Sequence, residues 1–554
     1  MGELYGGHIV AKYLKEVEGV DTVFSLSGGH IDKIYNGLLD YDVRIIDVRH
    51  EQAAVMMAQA WSLYRKKPGV CIVTAGPGFT NAITGIVNAQ MDNAPLVVIT
   101  GTAARRDWKR GALQDISQAD LIKSSVKWHS LCHDINRIPE YLSEAFRFAV
   151  SGRPGPVLLE LPPDILGTKT REEAVVSAQS GCVSYKVQPE ESLLQKAAEL
   201  INKAEKPLII GGSGCNGCGH ELRELAEKTE TPFILLNTGR GVIADDHPLS
   251  IWDGGMSSLL AAMPMADVVI ALGIRFNWLL MFGEMFPQAK MVRVDIEPTE
   301  INRNRIADVG LVGDMRLTLA QLLKYLNSKK LGNWREELRS AYMPMAQEEI
   351  ALKEKASHPI QPVRLVSQVQ KAVGDNALFL VDGGDASYFG ATGFTAKSEA
   401  SVFSPAGGLF GCLGTGVPFG IGAKLANPDK TVVVFNGDGS FGLNAMEFDT
   451  AVRHKIPFIC IICNDQAWGM IKHGQEMTYG SDRVVASELG VVHYEKVVEA
   501  LGGYGELVDK DEDIIPAIHR AVQSGKPACI NVLTDPTVTS PMTLLFMDSL
   551  NMEK

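Results

Sequence analysis

The sequence predicts an α/β protein made of three consecutive doubly wound parallel-sheet domains. Two observations carry this. Short apolar strand patterns alternate with helix patterns along nearly all of the 554 residues, and polar stretches near 172–189 and 332–359 interrupt the alternation twice. Strands that alternate with helices argue for βαβ units and a parallel sheet. One hydrophobic core does not grow to this length, so three domains fit.

In the first domain, residues 1–170, strand patterns fall at 22–26, 43–48, 69–73, 95–100 and 156–161, with helix patterns at 31–39, 51–64 and 80–91. The central domain, residues 190–335, has a Rossmann-like series of strands at 207–212, 232–236, 266–273 and 291–297. Residues 332–359, rich in Lys and Glu, read as an exposed linker. The third domain, residues 360–554, has strands at 377–381, 431–435, 457–463 and 528–533. Residues 401–426 are apolar but glycine-rich and read as a loop followed by a tightly packed helix.

Hydrophobic content of 46% with 21% charged residues is ordinary for a soluble globular chain. A net charge of −12 with no basic arm argues against nucleic acid as a partner. Nine cysteines form no disulfide framework in a chain this large. Cys215 and Cys218 form a CxxC without a second pair at zinc-finger spacing. Cys460 and Cys463 share one strand and point to opposite faces. Buried, reduced thiols are expected at all nine. The N-terminus lacks a signal-peptide layout or a myristoylation pattern. No apolar run reaches the roughly 20 residues of a membrane span, so a cytoplasmic protein without a membrane partner is expected.

The most informative stretch is Gly437-Asp438-Gly439-Ser440, a helix-like segment, an apolar strand, then Asn464-Asp465. Both polar clusters follow strand patterns, and loops after strand C-termini form the ligand crevice of an open parallel sheet. Asp438 and Asp465 can therefore meet in space. Magnesium takes one or two carboxylates together with phosphate oxygens, and Gly437 and Gly439 let backbone N–H groups approach a phosphate. Two acidic strand-to-helix turns with an N-cap at Ser440 would give the same pattern. Glu51 likewise opens a helix after a strand, where a first-turn acid is favoured by the helix dipole.

Together, Gly437–Asp465, Arg49-His50-Glu51-Gln52-Ala53-Ala54 and Thr74-Ala75-Gly76-Pro77-Gly78-Phe79-Thr80-Asn81 resemble the signatures of thiamine-diphosphate (ThDP) enzymes. The resemblance covers nearly the whole chain. It implies a ThDP-binding domain pair flanking the Rossmann-like centre, with Mg²⁺ held by Asp438, Asp465 and the carbonyl of Ala467. Asp465 departs from the usual Asn and adds a negative charge. Gly28, Gly78, Gly384, Asp385, Gly437, Gly439, Ser440, Asp465, Trp468 and Gly469 fall on cofactor-contacting positions, although Asp385 helps only if its carboxylate meets a donor. Leu413, in the run 407–420, falls on the apolar wedge that bends the cofactor. In the family the glutamate matching Glu51 hydrogen-bonds the aminopyrimidine and promotes loss of the thiazolium C2 proton. A carboxyl in a buried, apolar pocket has its pKa raised and can share such a proton.

Within the family the resemblance is nearest to benzaldehyde lyase and the 2-hydroxyacyl-CoA lyases, with acetolactate synthase further off. Ser27-Gly28-Gly29-His30 and Arg110–Asp115 place His30 and Gln114 beside the substrate carbonyl, where an amide can stabilise developing negative charge. A second benzaldehyde-lyase histidine aligns with Gly407. Residues 447–454 and Arg275-Phe276-Asn277-Trp278-Leu279 also resemble the lyase branch. Ser151–Gly155 and Val294-Asp295-Ile296 resemble pieces of a nucleotide site, implying ADP or FAD in the central domain unless that domain is vestigial. The C-terminus shows no basic cluster for CoA phosphates. The implied activity is C–C bond cleavage or ligation of acyloin, 2-hydroxyacyl(-CoA) or 2-oxo acid substrates through an enamine. The alternatives are pyruvate condensation by an acetolactate synthase, or a non-catalytic cofactor-binding regulator, which would not need Glu51. A homodimer at least, with a homotetramer as the fuller assembly, would build each crevice from two subunits.

Overall fold

Strands such as Gly69–Val73, Pro207–Gly211 and Leu378–Asp382 are buried along their whole length, as expected where both faces of a parallel sheet are covered by helices. The computed structural model describes residues 2–183, 185–404 and 409–550. Its N-terminal domain contains β1 (Glu3–Tyr5), β2 (Thr22–Ser25), β3 (Arg44–Asp47), β4 (Gly69–Val73), β5 (Leu96–Gly101), β6 (His129–Leu131), β7 (Pro156–Leu161) and β8 (Lys169–Arg171). The sheet runs β3-β2-β4-β5-β7-β6 and is parallel, while β1 and β8 form a separate antiparallel pair.

The central domain has β9 (Pro207–Gly211), β10 (Phe233–Leu235), β11 (Val268–Leu272), β12 (Lys290–Asp295) and β13 (Val309–Val312), in the order β10-β9-β11-β12-β13. The C-terminal domain has β14 (Leu378–Asp382), β15 (Val402–Phe403), β16 (Val432–Gly437), β17 (Ile459–Asn464), β18 (Tyr504–Val508) and β19 (Ala528–Leu533), ordered β15-β14-β16-β17-β19-β18. Numbered within each domain, both outer sheets share one order, 2-1-3-4-6-5. In each, the order reverses between the first and third strands, and the crevice opens there at the strand C-termini.

Three parallel α/β sheets are thus present, as the sequence predicts. The edge strands β6, β13, β15 and β18 escape sequence reading because they are short or polar on one face. Residues 332–359 are not an exposed linker. They contain the 21-residue helix Trp334–Glu354, which buries Trp334, Leu338, Tyr342 and Ala346, one residue per turn, on a single face. The Lys and Glu residues that suggested a linker occupy the opposite faces. The described cysteines are all unpaired; eight are buried, but Cys182 is exposed, against expectation. Cys460 and Cys463 do lie on opposite faces of the C-terminal sheet.

The outer domains of one chain share a core. Helix Glu51–Arg65 lies against helix Gly416–Ala426 so closely that a Cβ on Gly422 would fall 2.4 Å from the Met57 carbonyl oxygen. Ala53, Val55 and Met57 from one domain and Val417, Phe419 and Ile421 from the other belong to one apolar cluster. Beside it, buried Glu447 on helix Glu447–Arg453 accepts hydrogen bonds from the backbone N–H groups of Arg49 (3.0 Å) and His50 (3.0 Å) and from Thr450 Oγ1 (2.6 Å). Arg453 and His454 meet the Asp47 carboxylate at 2.5 and 2.7 Å. The loop that leads into Glu51 is therefore fixed by the far end of the chain.

Burial pushes the Glu447 carboxyl up to about 7. Its folded form holds a proton more tightly than the unfolded chain, so this contribution is complete below the ordinary value of 4.5 and lost as pH rises through about 7. Glu447→Ala leaves two backbone donors without acceptors and is expected to cost about 2–4 kcal/mol in denaturant unfolding. Glu447→Gln keeps an acceptor oxygen, and its stability should vary less between pH 4.5 and 7 than that of the unsubstituted protein.

Candidate active site

A cavity of about 570 Å³ opens at the C-terminal ends of β14, β16 and β17 and is closed on one side by Arg240, Trp252 and Trp278 of the central domain. The expected residues Gly384, Asp385, Leu413, Gly437, Asp438, Gly439, Ser440, Asp465, Ala467, Trp468 and Gly469 all line it. Asp438 begins helix Asp438–Asn444 with Gly437 as its N-cap; Ser440 is not the cap, and its Oγ donates back to the Gly437 carbonyl at 3.1 Å. Asp465 Oδ1 accepts from Ala467 N–H at 3.3 Å across Gln466, whose φ of 63° is left-handed. Backbone bonds of 2.8 Å from Trp468 to Ser487 and from Leu489 to Gln466 hold this turn. Two glycines are dictated by close approach. A Cβ on Gly439 would meet the Trp468 ring at 2.6 Å, and one on Gly469 would meet Asp465 Oδ2 at 2.1 Å.

The electrostatics of this half are dominated by negative charge. Asp438 is 1% exposed, and its Oδ2 has no hydrogen-bond partner among the described residues. Burial, and then the facing Asp465 carboxylate, push it up to about 8. Asp465 is raised as well, chiefly by burial. Asp382 is raised to about 6 by burial even though it accepts from Gly383 N–H (2.7 Å) and Gly416 N–H (2.8 Å), bonds that tie β14 to helix Gly416–Ala426. A divalent cation would relieve the Asp438–Asp465 repulsion and occupy the orphaned oxygen. Among the described residues no three His, Cys, Asp or Glu side chains converge as a self-sufficient metal site. Such a site suits an ion completed by phosphate oxygens.

The N-terminal half gathers around Thr74. Glu51, 5% exposed, opens helix Glu51–Arg65, and its Oε2 accepts from Asn81 Nδ2 at 3.0 Å. Gly28 and Gly78 lie against the Thr74 side chain, and Gly78 also borders Glu51 Oε1. His30 Nδ1 stands 3.5 Å from Thr74 Oγ1. Gln114, with φ 62°, packs on Gly76. Gln118 pins this loop by accepting from Gly76 N–H (3.0 Å) and donating to the Gly101 carbonyl (2.9 Å). Glu51, His30 and Gln114 do not line the 570 Å³ cavity. Leu413 borders both that cavity and a smaller one lined by His50, Gln52 and Thr84 of the N-terminal domain.

Three descriptions match the chain in order: "Thiamine pyrophosphate enzyme, N-terminal TPP binding domain" over residues 4–121, the central domain over 194–322, and the C-terminal TPP binding domain over 382–532. The chain belongs to the thiamine pyrophosphate enzyme family. It is 34% identical to the acetolactate synthase large subunit IlvG of Mycobacterium tuberculosis, over 97% of each chain. It is 32% identical to a probable acetolactate synthase large subunit of Methanocaldococcus jannaschii, covering 97% of this chain and 93% of that one. It is 31% identical to human 2-hydroxyacyl-CoA lyase 2, covering 96% and 90%. The two branches match to nearly the same degree, so identity does not separate lyase from synthase.

In this thiamine pyrophosphate enzyme, of the two stretches that resemble a nucleotide site, Arg153 of the N-terminal domain bonds Glu300 at 2.9 Å and Asp295 accepts from Glu297 N–H at 2.9 Å. Arg275, in the stretch that resembles the lyase branch, donates to the Met91 carbonyl at 2.9 Å and to Asn93. The residue aligned with the second lyase histidine, Gly407, lies outside the described residues. Sequence reading missed Asn81 as the partner of Glu51, although it ends the Thr74–Asn81 motif. It missed His473, which lies one helical turn beyond Gly469 and bonds Asp385 at 3.0 Å. No helix among the described residues is long and apolar enough to cross a membrane.

A divalent cation at this site would have to displace the proton held by Asp438, so any Mg²⁺ affinity should tighten about tenfold per pH unit up to about 8. Asp465→Asn removes the facing charge, and calorimetric titration between pH 6 and 8 should then show a flatter slope.

Proposed function

We propose that this enzyme is a ThDP- and Mg²⁺-dependent C–C lyase and carboligase acting on acyloin, 2-hydroxyacyl or 2-oxo acid substrates. The observation that supports this reading is the separation of two complementary clusters. Glu51 is buried with a single side-chain donor among the described residues, Asn81, and does not line the cavity that holds Asp438 and Asp465. A complete site then requires the N-terminal half of one subunit to face the C-terminal half of another, with a homodimer as the minimal unit and a tetramer as its extension.

Asp438, Asp465 and the Ala467 carbonyl would hold the metal, with Gly383–Gly384 and Gly437–Ser440 presenting backbone to the diphosphate. When bound, ThDP supplies the carbanion chemistry that breaks and forms bonds next to a carbonyl. The chain's own residues supply position and proton control. The Glu51 carboxyl exchanges a proton with the aminopyrimidine ring nitrogen, and Asn81 fixes the carboxyl's orientation. His30 and Gln114 orient the substrate carbonyl, Gln114 by donating a hydrogen bond to its oxygen and His30 by moving protons to and from it. Leu413 is the apolar wedge. The ADP or FAD that the resemblance implies for the central domain is not required by the reaction proposed.

A second reading, condensation of pyruvate by an acetolactate synthase, is favoured by the names of the relatives at 34% identity. With ThDP and Mg²⁺ present, release of aldehyde or CO₂ from a panel of acyloins, 2-oxo acids and 2-hydroxyacyl-CoAs is expected. Acetolactate formed from pyruvate alone at a competing rate would favour the second reading. Glu51→Gln should leave the fold unchanged and lower kcat by about 10²–10⁴; near-normal turnover would eliminate the proton role of Glu51.

A further inference from the structure

His473 is 2% exposed and sits between two groups that can only accept hydrogen bonds. Its Nδ1 is 3.0 Å from Asp385 Oδ2 and its Nε2 is 3.0 Å from the Pro536 carbonyl oxygen. Acceptors at both ring nitrogens favour the doubly protonated imidazole. Its pKa is raised, led by the hydrogen bond to Asp385. The other Asp385 oxygen accepts from Ser540 Oγ and Thr543 Oγ1, each at 2.5 Å. All four groups are buried.

These bonds join three pieces of chain. Asp385 follows Gly383-Gly384 at the end of β14 and opens helix Asp385–Gly393. His473 stands on helix Gly469–Tyr479, whose first residue abuts Asp465. Pro536, Ser540 and Thr543 belong to the segment after β19, and Thr534, Asp535, Val538 and Met542 of that segment form a wall of the 570 Å³ cavity. Up to Asp535 the chain is fixed by backbone bonds to Asn464 and Ile360. Beyond it, among the described residues and apart from the bonds within 535–543 and within its own helix Pro541–Leu550, the hydrogen bonds between 536–543 and the rest of the fold go to His473 and Asp385.

We propose that Asp385 and His473 form a latch that couples docking of the C-terminal segment to occupancy of the cofactor cradle, and that both are positioning residues for the cofactor. The proposal rests on the reading that the cradle takes ThDP and Mg²⁺. Undocking 536–543 takes two hydroxyl donors from a buried carboxylate and one acceptor from a buried imidazolium. The β14 and β17 loops must then shift to let water reach those charges. A ligand that holds the two loops in place opposes that shift. By linkage, the factor by which the docked segment tightens ThDP equals the factor by which ThDP favours docking.

The test uses the full chain, with ThDP and Mg²⁺ as ligands. Hydrogen exchange of backbone amides in 536–543 is expected to slow at least about fivefold when both are bound. Ser540→Ala/Thr543→Val, which alters only the segment, should weaken ThDP binding about 5- to 50-fold while the melting temperature of the cofactor-free protein is retained. Wild-type ThDP affinity in that variant overturns the latch, and so does exchange in 536–543 that is indifferent to cofactor. Failure of the unsubstituted protein to bind ThDP overturns the underlying site reading as well, so the two failures are distinguishable.

Discussion

Two facing carboxylates buried at the ends of neighbouring strands are the constraint on which the rest of this structure depends. Among the described residues neither Asp438 nor Asp465 forms a salt bridge with a Lys or Arg, and a parallel sheet brings the β16 and β17 loops together by stacking their C-terminal ends. Carboxylates placed there repel, take up a proton or recruit a positive ion. Everything around them keeps water away and geometry fixed: glycines where Trp468 and Asp465 press on backbone, Asp382 bonding the base of one loop, and the Asp385–His473 pair behind two others. The cradle is a preorganised anionic floor, which suits the cation and phosphate of the function proposed above.

Charge is handled differently in the two outer domains, although their strand orders are the same. The C-terminal crevice concentrates acids that face one another. In the N-terminal crevice the buried acid Glu51 is surrounded by small residues, Thr74 and an amide, with no facing carboxylate among the described residues. Under the function proposed above, the single carboxyl serves the proton and the facing pair serves the metal. One architecture therefore yields two chemistries through the residues placed after equivalent strands.

Much of this was legible in the sequence because parallel sheets write strong signals. Continuous apolar strands, glycines beside acids and helix starts after strands located β4, β9, β14, β16 and β17 and the cavity-lining residues Gly384, Asp385, Leu413, 437–440, Asp465 and 467–469. What escaped had a common cause: the stabilising contact lies far away along the chain. Residues 334–354 carry so much charge that their one buried face, a residue every fourth position, was lost among Lys and Glu. Glu447 reads as an ordinary helix acid until the Arg49 and His50 amides arrive from the other domain. His473 has no local signature, since its two acceptors lie at 385 and 536. Cys182 resembles its buried counterparts in composition and differs only in location.

The Glu447 contact also bears on how the chain may be divided. Three family domains in a row suggest modules that could be exchanged or expressed separately. Yet the backbone that presents Glu51 hangs from a carboxyl in the third domain, and the first domain's main helix shares its apolar core with Gly416–Ala426. An isolated first domain would expose Ala- and Met-rich surface and leave the Arg49 and His50 amides without acceptors. The unit that can be inherited, swapped or crystallised intact is the whole chain.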